Sequence, residues 1–339
     1  MRIVLDAMGS DDYPWPEIQA AIDAVERWGD PILLVGKQDI LQPELDSRRI
    51  PKDMVRVIHA PEVLEMTDKP ASAARGKATN SMAVGMELLK NGEADAFTTA
   101  GNTGGAMANA LFRLGRIRGV KRPAISAIIP VLGGHTVVID VGANVDCKPE
   151  YMVQFATMGA IYAEKVLGKS SPSVALLSNG EEPGKGNMLV KETFPMLEAS
   201  EINFIGNVEP KEVFQGEADV VVADGFTGNV FIKTSESVAR FLFDVVRTEI
   251  KASPVSAIGG LLAKPAFARV GKLLDPSEYG AAPLLGVDGL VFIGHGRSDA
   301  KAMLNAIRVT RQAVENNALA ALREAIQSRL MDTSLEVGT

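Results

Sequence analysis

Short apolar runs recur along the chain. Each is followed by a polar, often glycine-bearing turn and then by a stretch with helical spacing. Apolar runs bounded by turn signals read as buried strands, and a spacing of i, i+3, i+4 reads as a helix face. Strands are therefore predicted at residues 2–5, 32–35, 55–58, 94–99, 124–130, 136–139, 174–177, 202–205, 219–223, 284–287 and 290–293. Helices are predicted at 16–28, 80–90, 106–114, 149–167, 188–197, 230–251 and 299–317, with a short polar one after residue 35. In the first, Ile18, Ala21, Ile22 and Val25 share one face, and in the 230–251 helix Val238, Phe241, Leu242, Val245 and Val246 do. Residues 60–75, with Pro61 and Pro70 as breakers, read as one long loop.

Strands alternating with helices predict a doubly wound α/β fold with three layers, α/β/α. Such folds bind ligands at the carboxyl ends of their strands. Loops starting at Asp6, Gly101, Asp140, Ser178, Gly206 and Asp224 are accordingly expected to line one cleft. With no solenoid repeat and no low-complexity linker, residues 1–339 are expected to form a single α/β catalytic domain. Residues 230–275 are set apart as a helical arm. Its second half, 254–274, is rich in small and apolar residues, and its only charges are Lys264, Arg269 and Lys272. Such a segment suits a dimerisation arm. It also suits an interfacial membrane contact, with Ile258, Leu261, Leu262 and Phe267 at the tip.

The loop at 178–187, S-N-G-E-E-P-G-K-G-N, stands between a strand and a helix. That order aims backbone N–H groups and a helix N-terminus at an anion. Lys185 sits between Gly184 and Gly186, which let the backbone approach a ligand, and adds a point charge. The site predicted is for an oxyanion, phosphate first.

Composition narrows the partners. Of 339 residues, 46% are hydrophobic and 23% charged, an ordinary globular mixture, and the net charge of -7 disfavours nucleic acid or anionic lipid as a general partner. Only 5% are aromatic, which offers little base-stacking surface. Against the acidic background, Arg113, Arg116, Arg118, Lys121 and Arg122 form a tract with no acid, a candidate dock for an acidic partner. The lone Cys147 excludes an intrachain disulfide framework and fits a reducing compartment. His59, His135 and His295 are far apart, so no metal site is expected. The N-terminus enters a strand directly, with no secretory leader expected.

Taken together, several segments resemble the PlsX family, the acyl-[acyl-carrier-protein]:phosphate acyltransferases. They are D-A-M-G from Asp6, T-A-G-N-T-G from Thr99, D-V-G-A-N-V-D from Asp140, L-S-N-G-E-E-P-G-K-G from Leu177, D-G-F-T-G-N from Asp224 and G-H-G from Gly294. They occur in family order and cover nearly the whole chain. Ser10 departs from the family, which usually has glycine there.

The resemblance implies a fold related to phosphate acetyltransferases and to isocitrate and isopropylmalate dehydrogenases. It implies reversible acyl transfer from acyl-ACP to inorganic phosphate, giving acyl phosphate for phospholipid synthesis. It further implies a cytoplasmic homodimer, peripherally membrane-associated, that needs no cofactor and feeds an acyl-phosphate-dependent glycerol-3-phosphate acyltransferase.

Phosphate is already ionised at neutral pH, so this acyl transfer asks for positioning and oxyanion stabilisation rather than a strong base. The roles expected are Lys185 with the amides around Gly184, Gly186 and Asn187 for phosphate, and Asn179 and Asn144 for orienting phosphate or thioester. Asn102 and Thr103 are expected to supply donors, Thr227 and Asn229 a helix start, Asp140 and Asp224 loop order, and His295 a proton for the leaving thiolate. Cys147 as a covalent acyl carrier is unnecessary if attack is direct. Two rivals are a short-chain acyl-CoA enzyme or nicotinamide-dependent dehydrogenase on the same fold, and a non-enzymatic scaffold binding acyl-ACP or lipid.

Overall fold

The computed structural model describes residues 1–48, 50–51 and 53–336. Its first half alternates β1 (Ile3–Asp6), α1 (Trp15–Trp28), β2 (Ile32–Gly36), α2 (Gln38–Ser47) and β3 (Val55–His59). It continues with α3 (Pro70–Gly76), α4 (Ser81–Lys90), β4 (Ala96–Thr99) and α5 (Thr103–Arg113). β1 to β4 are parallel, in the order β3-β2-β1-β4. β5 (Ala124–Val131) and β6 (Gly134–Ile139) then form an antiparallel hairpin. α6 (Pro149–Lys165), β7 (Val174–Leu177), α7 (Met188–Glu198), β8 (Phe204–Val208), α8 (Pro210–Gln215) and β9 (Val220–Val222) follow.

Next come α9 (Gly225–Lys251) and α10 (Pro254–Leu273). β10 (Ala281–Leu285) and β11 (Val291–Gly294) return to the sheet, and α11 (Ala300–Glu315) and α12 (Ala318–Glu336) close the chain. The helix predicted at 299–317 is α11, and α12 is a further helix not among those predicted. They break at Asn317, which takes the left-handed conformation (φ 50°) that asparagine tolerates better than most residues.

The eleven strands form one mixed sheet, ordered β3-β2-β1-β4-β11-β10-β5-β6-β9-β7-β8. β10 runs antiparallel to both β11 and β5, and β5 antiparallel to β6. The odd number of reversals decides what the loops share. β6, β9, β7 and β8 run opposite to β1–β4 and β11, so the carboxyl ends of the two parallel blocks lie on opposite edges of the sheet. The six loops do not all open on one edge.

Two local expectations also change. Residues 60–75 are not all loop, because Pro70 opens α3, where its missing N–H is no loss. Gly206 does not begin a loop, because it lies within β8.

One apolar cluster spans both blocks, taking in Ala96, Leu285 and Phe292 with Val137, Leu176 and Val222, roofed by Phe155, Met158 and Tyr162 of α6. Burying a side chain such as Phe155 contributes roughly 2–3 kcal/mol. α10 has no such anchor, since none of its residues is buried. The apolar positions of α9 also face outward, with Phe241 64% and Leu242 55% exposed.

Candidate functional site

One edge is organised by Asp140, which follows β6 and is fully buried. Its Oδ1 accepts the N–H groups of Ile125 (3.1 Å), Gly142 (3.2 Å) and Ala143 (3.0 Å), and its Oδ2 those of Asn144 (2.7 Å). Burial pushes its pKa up, against the pull of these donors. Asn144 Nδ2 donates to Asp140 (2.9 Å) and to the carbonyl of Pro123 (2.7 Å).

The neighbouring strand β9 leads to Asp224, which caps α9 by accepting the N–H groups of Phe226 and Thr227 and the Thr227 hydroxyl (2.7 Å). Asn229 Nδ2 donates to the carbonyl of Val141 (2.8 Å). The glycines of this motif are required by packing. A Cβ on Gly225 would lie 2.6 Å from the Asn144 carbonyl oxygen, and one on Gly228 would strike that of Asp140. Asp140, Asn144, Thr227 and Asn229 are therefore brought together, with Asn144 bound to Asp140, Thr227 to Asp224 and Asn229 to the Val141 carbonyl.

The β7–α7 loop, residues 178–187, lies on the same edge because β7 pairs with β9. Asn179 Oδ1 accepts the Gly186 N–H (3.0 Å), and Asn187 caps α7 through Val190 N (3.0 Å). The Lys185 N–H donates to the Glu182 carbonyl (2.9 Å), but its ammonium makes no hydrogen bond or ion pair among the described residues, and the residue is exposed. The Ser178 hydroxyl is buried without a partner among the described residues. An orphaned hydroxyl, the free Asn179 Nδ2, a lysine and the first turn of α7 are thus left for an oxyanion. Ser178 was not singled out from the sequence, although its place directly after a buried strand was visible there.

Nearby, Glu181, Glu209 and Glu212 cluster closely enough to hold a metal ion. The ammonium of Lys211 already lies 3.4, 3.3 and 3.0 Å from them, supplying that positive charge.

The basic tract meets this edge. Arg116, Lys121 and Arg122 line a cavity of ≈490 Å³ with Leu111, Pro123 and Tyr151. Pro123 is also the acceptor for Asn144. Arg122 stacks over Tyr151, 5.8 Å from the ring centre. Arg118 is exposed. Arg113 is turned away, bound to Glu87 (3.1 Å) and the Ala78 carbonyl (2.8 Å).

The other edge holds Asn102, Thr103 and His295. Asn102 caps α5 through Gly105 N (2.9 Å), and its Nδ2 donates to the carbonyls of Glu65, Met66 and Asp68. Its amide is spent tying the 60–75 segment to α5. Thr103 is the exposed first residue of α5. His295 Nδ1 accepts the Arg297 N–H (3.3 Å). Asp6 and Glu17 are buried here too. Burial raises both pKa values, that of Glu17 to about 7. No hydrogen bond among the described residues links this set to Lys185 or Asp140. Cys147 donates to the Asn144 carbonyl (3.4 Å), and burial pushes its thiol up to about 11, so it is a poor nucleophile at neutral pH.

Toward the turn between α9 and α10, Ile258, Leu261 and Leu262 are 63%, 69% and 79% exposed. Phe267, expected at the tip, is 37% exposed and lies in the half of α10 nearer the body, because the turn falls between Lys251 and Pro254. Among the described residues no helix is long and apolar enough to cross a membrane.

Residues 1–321 match the family model described as "Fatty acid synthesis protein". A phosphate acyltransferase of Dictyoglomus turgidum is 49% identical over 93% of this chain and 94% of its own. One from Pelotomaculum thermopropionicum is 47% identical over 97% and 96%. Among solved structures, a branched-chain phosphotransacylase from Enterococcus faecalis superposes with TM-score 0.58 at 14% identity, covering 93% of this chain and 99% of its own. A 4-hydroxythreonine-4-phosphate dehydrogenase from Klebsiella pneumoniae gives 0.56 at 14%, covering 92% and 98%. At such identities the likeness concerns the fold alone.

Proposed function

Because the chain belongs to the fatty acid synthesis protein family, we propose that it is a phosphate acyltransferase that moves a fatty acyl group from acyl-ACP to inorganic phosphate. The product, an acyl phosphate, supplies phospholipid synthesis. The observation that supports this site is the β7–α7 loop, which holds the unpaired Lys185 ammonium and a Ser178 hydroxyl buried without a partner among the described residues, and which leads into α7.

Phosphate enters as an anion and binds to Lys185, Asn179 and the first amides of α7. One phosphate oxygen bonds to the thioester carbonyl carbon, and the negative charge passes to the carbonyl oxygen. Collapse breaks the C–S bond and releases the carrier thiolate, which takes its proton from water. The nucleophile is already ionised, so positioning and charge stabilisation supply the rate. The Asp140–Asn144–Asp224 assembly holds the wall of this edge rigid. Arg116, Arg118, Lys121 and Arg122 are the dock for the acidic carrier. No step is assigned to His295, Asn102 or Thr103, which lie on the other edge, or to Cys147.

The exposed apolar faces of α9 and α10 support a homodimer built through the arm, with its tip resting on a membrane surface. Incubation of the protein with long-chain acyl-ACP, with and without phosphate, tests the reading. Acyl phosphate detected by mass spectrometry only when phosphate is present is expected. Loss of acyl-ACP without phosphate, or turnover of acyl-CoA alone, would contradict it.

A further inference from the structure

A second cavity, of ≈550 Å³, lies at the root of the arm, between the end of α10, the β5–β6 hairpin and α11. Its size falls within the range of small-ligand pockets, about 300–1,000 Å³. Four cations line it: Lys169, Arg269, Lys272 and Arg308. Lys169 is paired with Asp219 (2.9 Å), and Arg308 spends two nitrogens on Asn305 (3.2 Å) and the Glu278 carbonyl (2.9 Å). The side chains of Arg269 and Lys272 make no hydrogen bond or ion pair among the described residues. The one carboxylate in the lining, Glu278, is held by Lys301 at 2.6 Å. The cavity therefore carries uncompensated positive charge. His135 also lines the cavity, edge-on to Tyr279 with ring centres 5.6 Å apart. Burial and the Lys169 charge hold its pKa below the ordinary value.

Ile128, Leu167, Leu273 and Val309 supply an apolar wall, beside Gln312, whose amide donates to the Val166 carbonyl (2.7 Å). Cations beside an apolar wall match an anion joined to a hydrocarbon chain. Two arginines and two lysines favour phosphate, which offers more charge and more acceptor oxygens than a carboxylate. The cavity is separate from the β7–α7 edge. His135 stands near the start of β6 (Gly134–Ile139) and Asp140 follows its end, which puts them roughly 17 Å apart. It is also fixed to the arm, since the Tyr279 hydroxyl donates to the Leu273 carbonyl (3.0 Å) and Lys301 pairs with Asp275 (2.9 Å).

We propose that this cavity binds a phosphate group carried on an acyl chain. Two sources share that chemistry: the acyl phosphate released by the reaction, and the headgroup region of an anionic phospholipid. The first source rests on the function proposed above; the binding site itself does not.

The test is calorimetric titration with dodecyl phosphate below its micelle concentration, beside flotation with phosphatidylglycerol and phosphatidylcholine vesicles. Inorganic phosphate and dodecyl maltoside serve as controls lacking the chain or the charge. Wild-type protein is compared with Arg269→Ala/Lys272→Ala and with the charge-conserving Arg269→Lys/Lys272→Arg. Both positions are exposed, so the fold tolerates both changes.

Saturable binding of one dodecyl phosphate per chain is expected, weakened at least tenfold by the alanine pair and kept by the conserving pair. Each control should bind at least tenfold more weakly. That result with unchanged flotation assigns the site to the free amphiphile. Loss confined to phosphatidylglycerol flotation assigns it to the headgroup. No saturable binding in either arm, or binding equal in wild type and the alanine pair, overturns the proposal. A chain that binds dodecyl phosphate but makes no acyl phosphate from acyl-ACP would overturn the functional reading and leave this site standing.

Discussion

In the body of the molecule, the buried Asp140 gathers four backbone N–H donors around one carboxylate. On the arm, α10 runs for 20 residues without burying one of them. The body satisfies its own polar groups and leaves a few free, notably Lys185 and Ser178. The arm leaves its apolar groups unsatisfied along a whole face. The first pattern marks where a small polar ligand fits, and the second marks where a second surface is required. Substitutions in the body should therefore change stability or chemistry, and substitutions in the arm should change association.

The largest effect expected is from Asp140→Ala. It strands buried donors, so the urea midpoint should fall by the equivalent of about 4 kcal/mol. A drop under about 1 kcal/mol would mean the assembly is not held by this carboxylate. Next is Glu17, whose carboxyl is raised from 4.5 to about 7 mainly by burial. In that window the folded state keeps a proton that the unfolded chain releases. Stability should thus be greatest below pH about 4.5, fall by roughly 3 kcal/mol as pH rises to about 7, and stay level above. Glu17→Gln should flatten the profile, and an unchanged slope would assign the titration elsewhere.

Leu261→Glu/Leu262→Glu should leave the melting temperature unchanged while weakening vesicle co-sedimentation about tenfold. If it also altered turnover of soluble acyl-ACP, the division between body and arm would be wrong. Smallest is Arg116→Glu/Arg118→Glu, expected to raise the KM for acyl-ACP about fivefold at low salt and less at high salt. An equal effect at both salt concentrations would place the dock elsewhere.

Periodicity revealed nearly every strand and most helices, because local burial imposes it. It did not reveal that β10 runs antiparallel, since strand direction depends on pairing with distant β5 and β11. For that reason the Asn102 and Lys185 loops were expected in one cleft and lie on opposite edges. Nor could the sequence separate spent amides from free ones. Asn102, Asn187 and Asp224 sit where glycine-rich loops enter helices, and the same residue types serve there as N-caps and as anion ligands. Lys185 was legible because a lysine between two glycines has no capping role to play. Ser178 became visible only once its hydroxyl was seen buried without a partner.

The central claim is that phosphate is held at the β7–α7 loop, and steady-state kinetics of Lys185→Ala against phosphate concentration test it most directly. The account predicts a KM for phosphate raised at least tenfold, with the KM for acyl-ACP nearly unchanged. An unchanged KM for phosphate in the folded variant would contradict it.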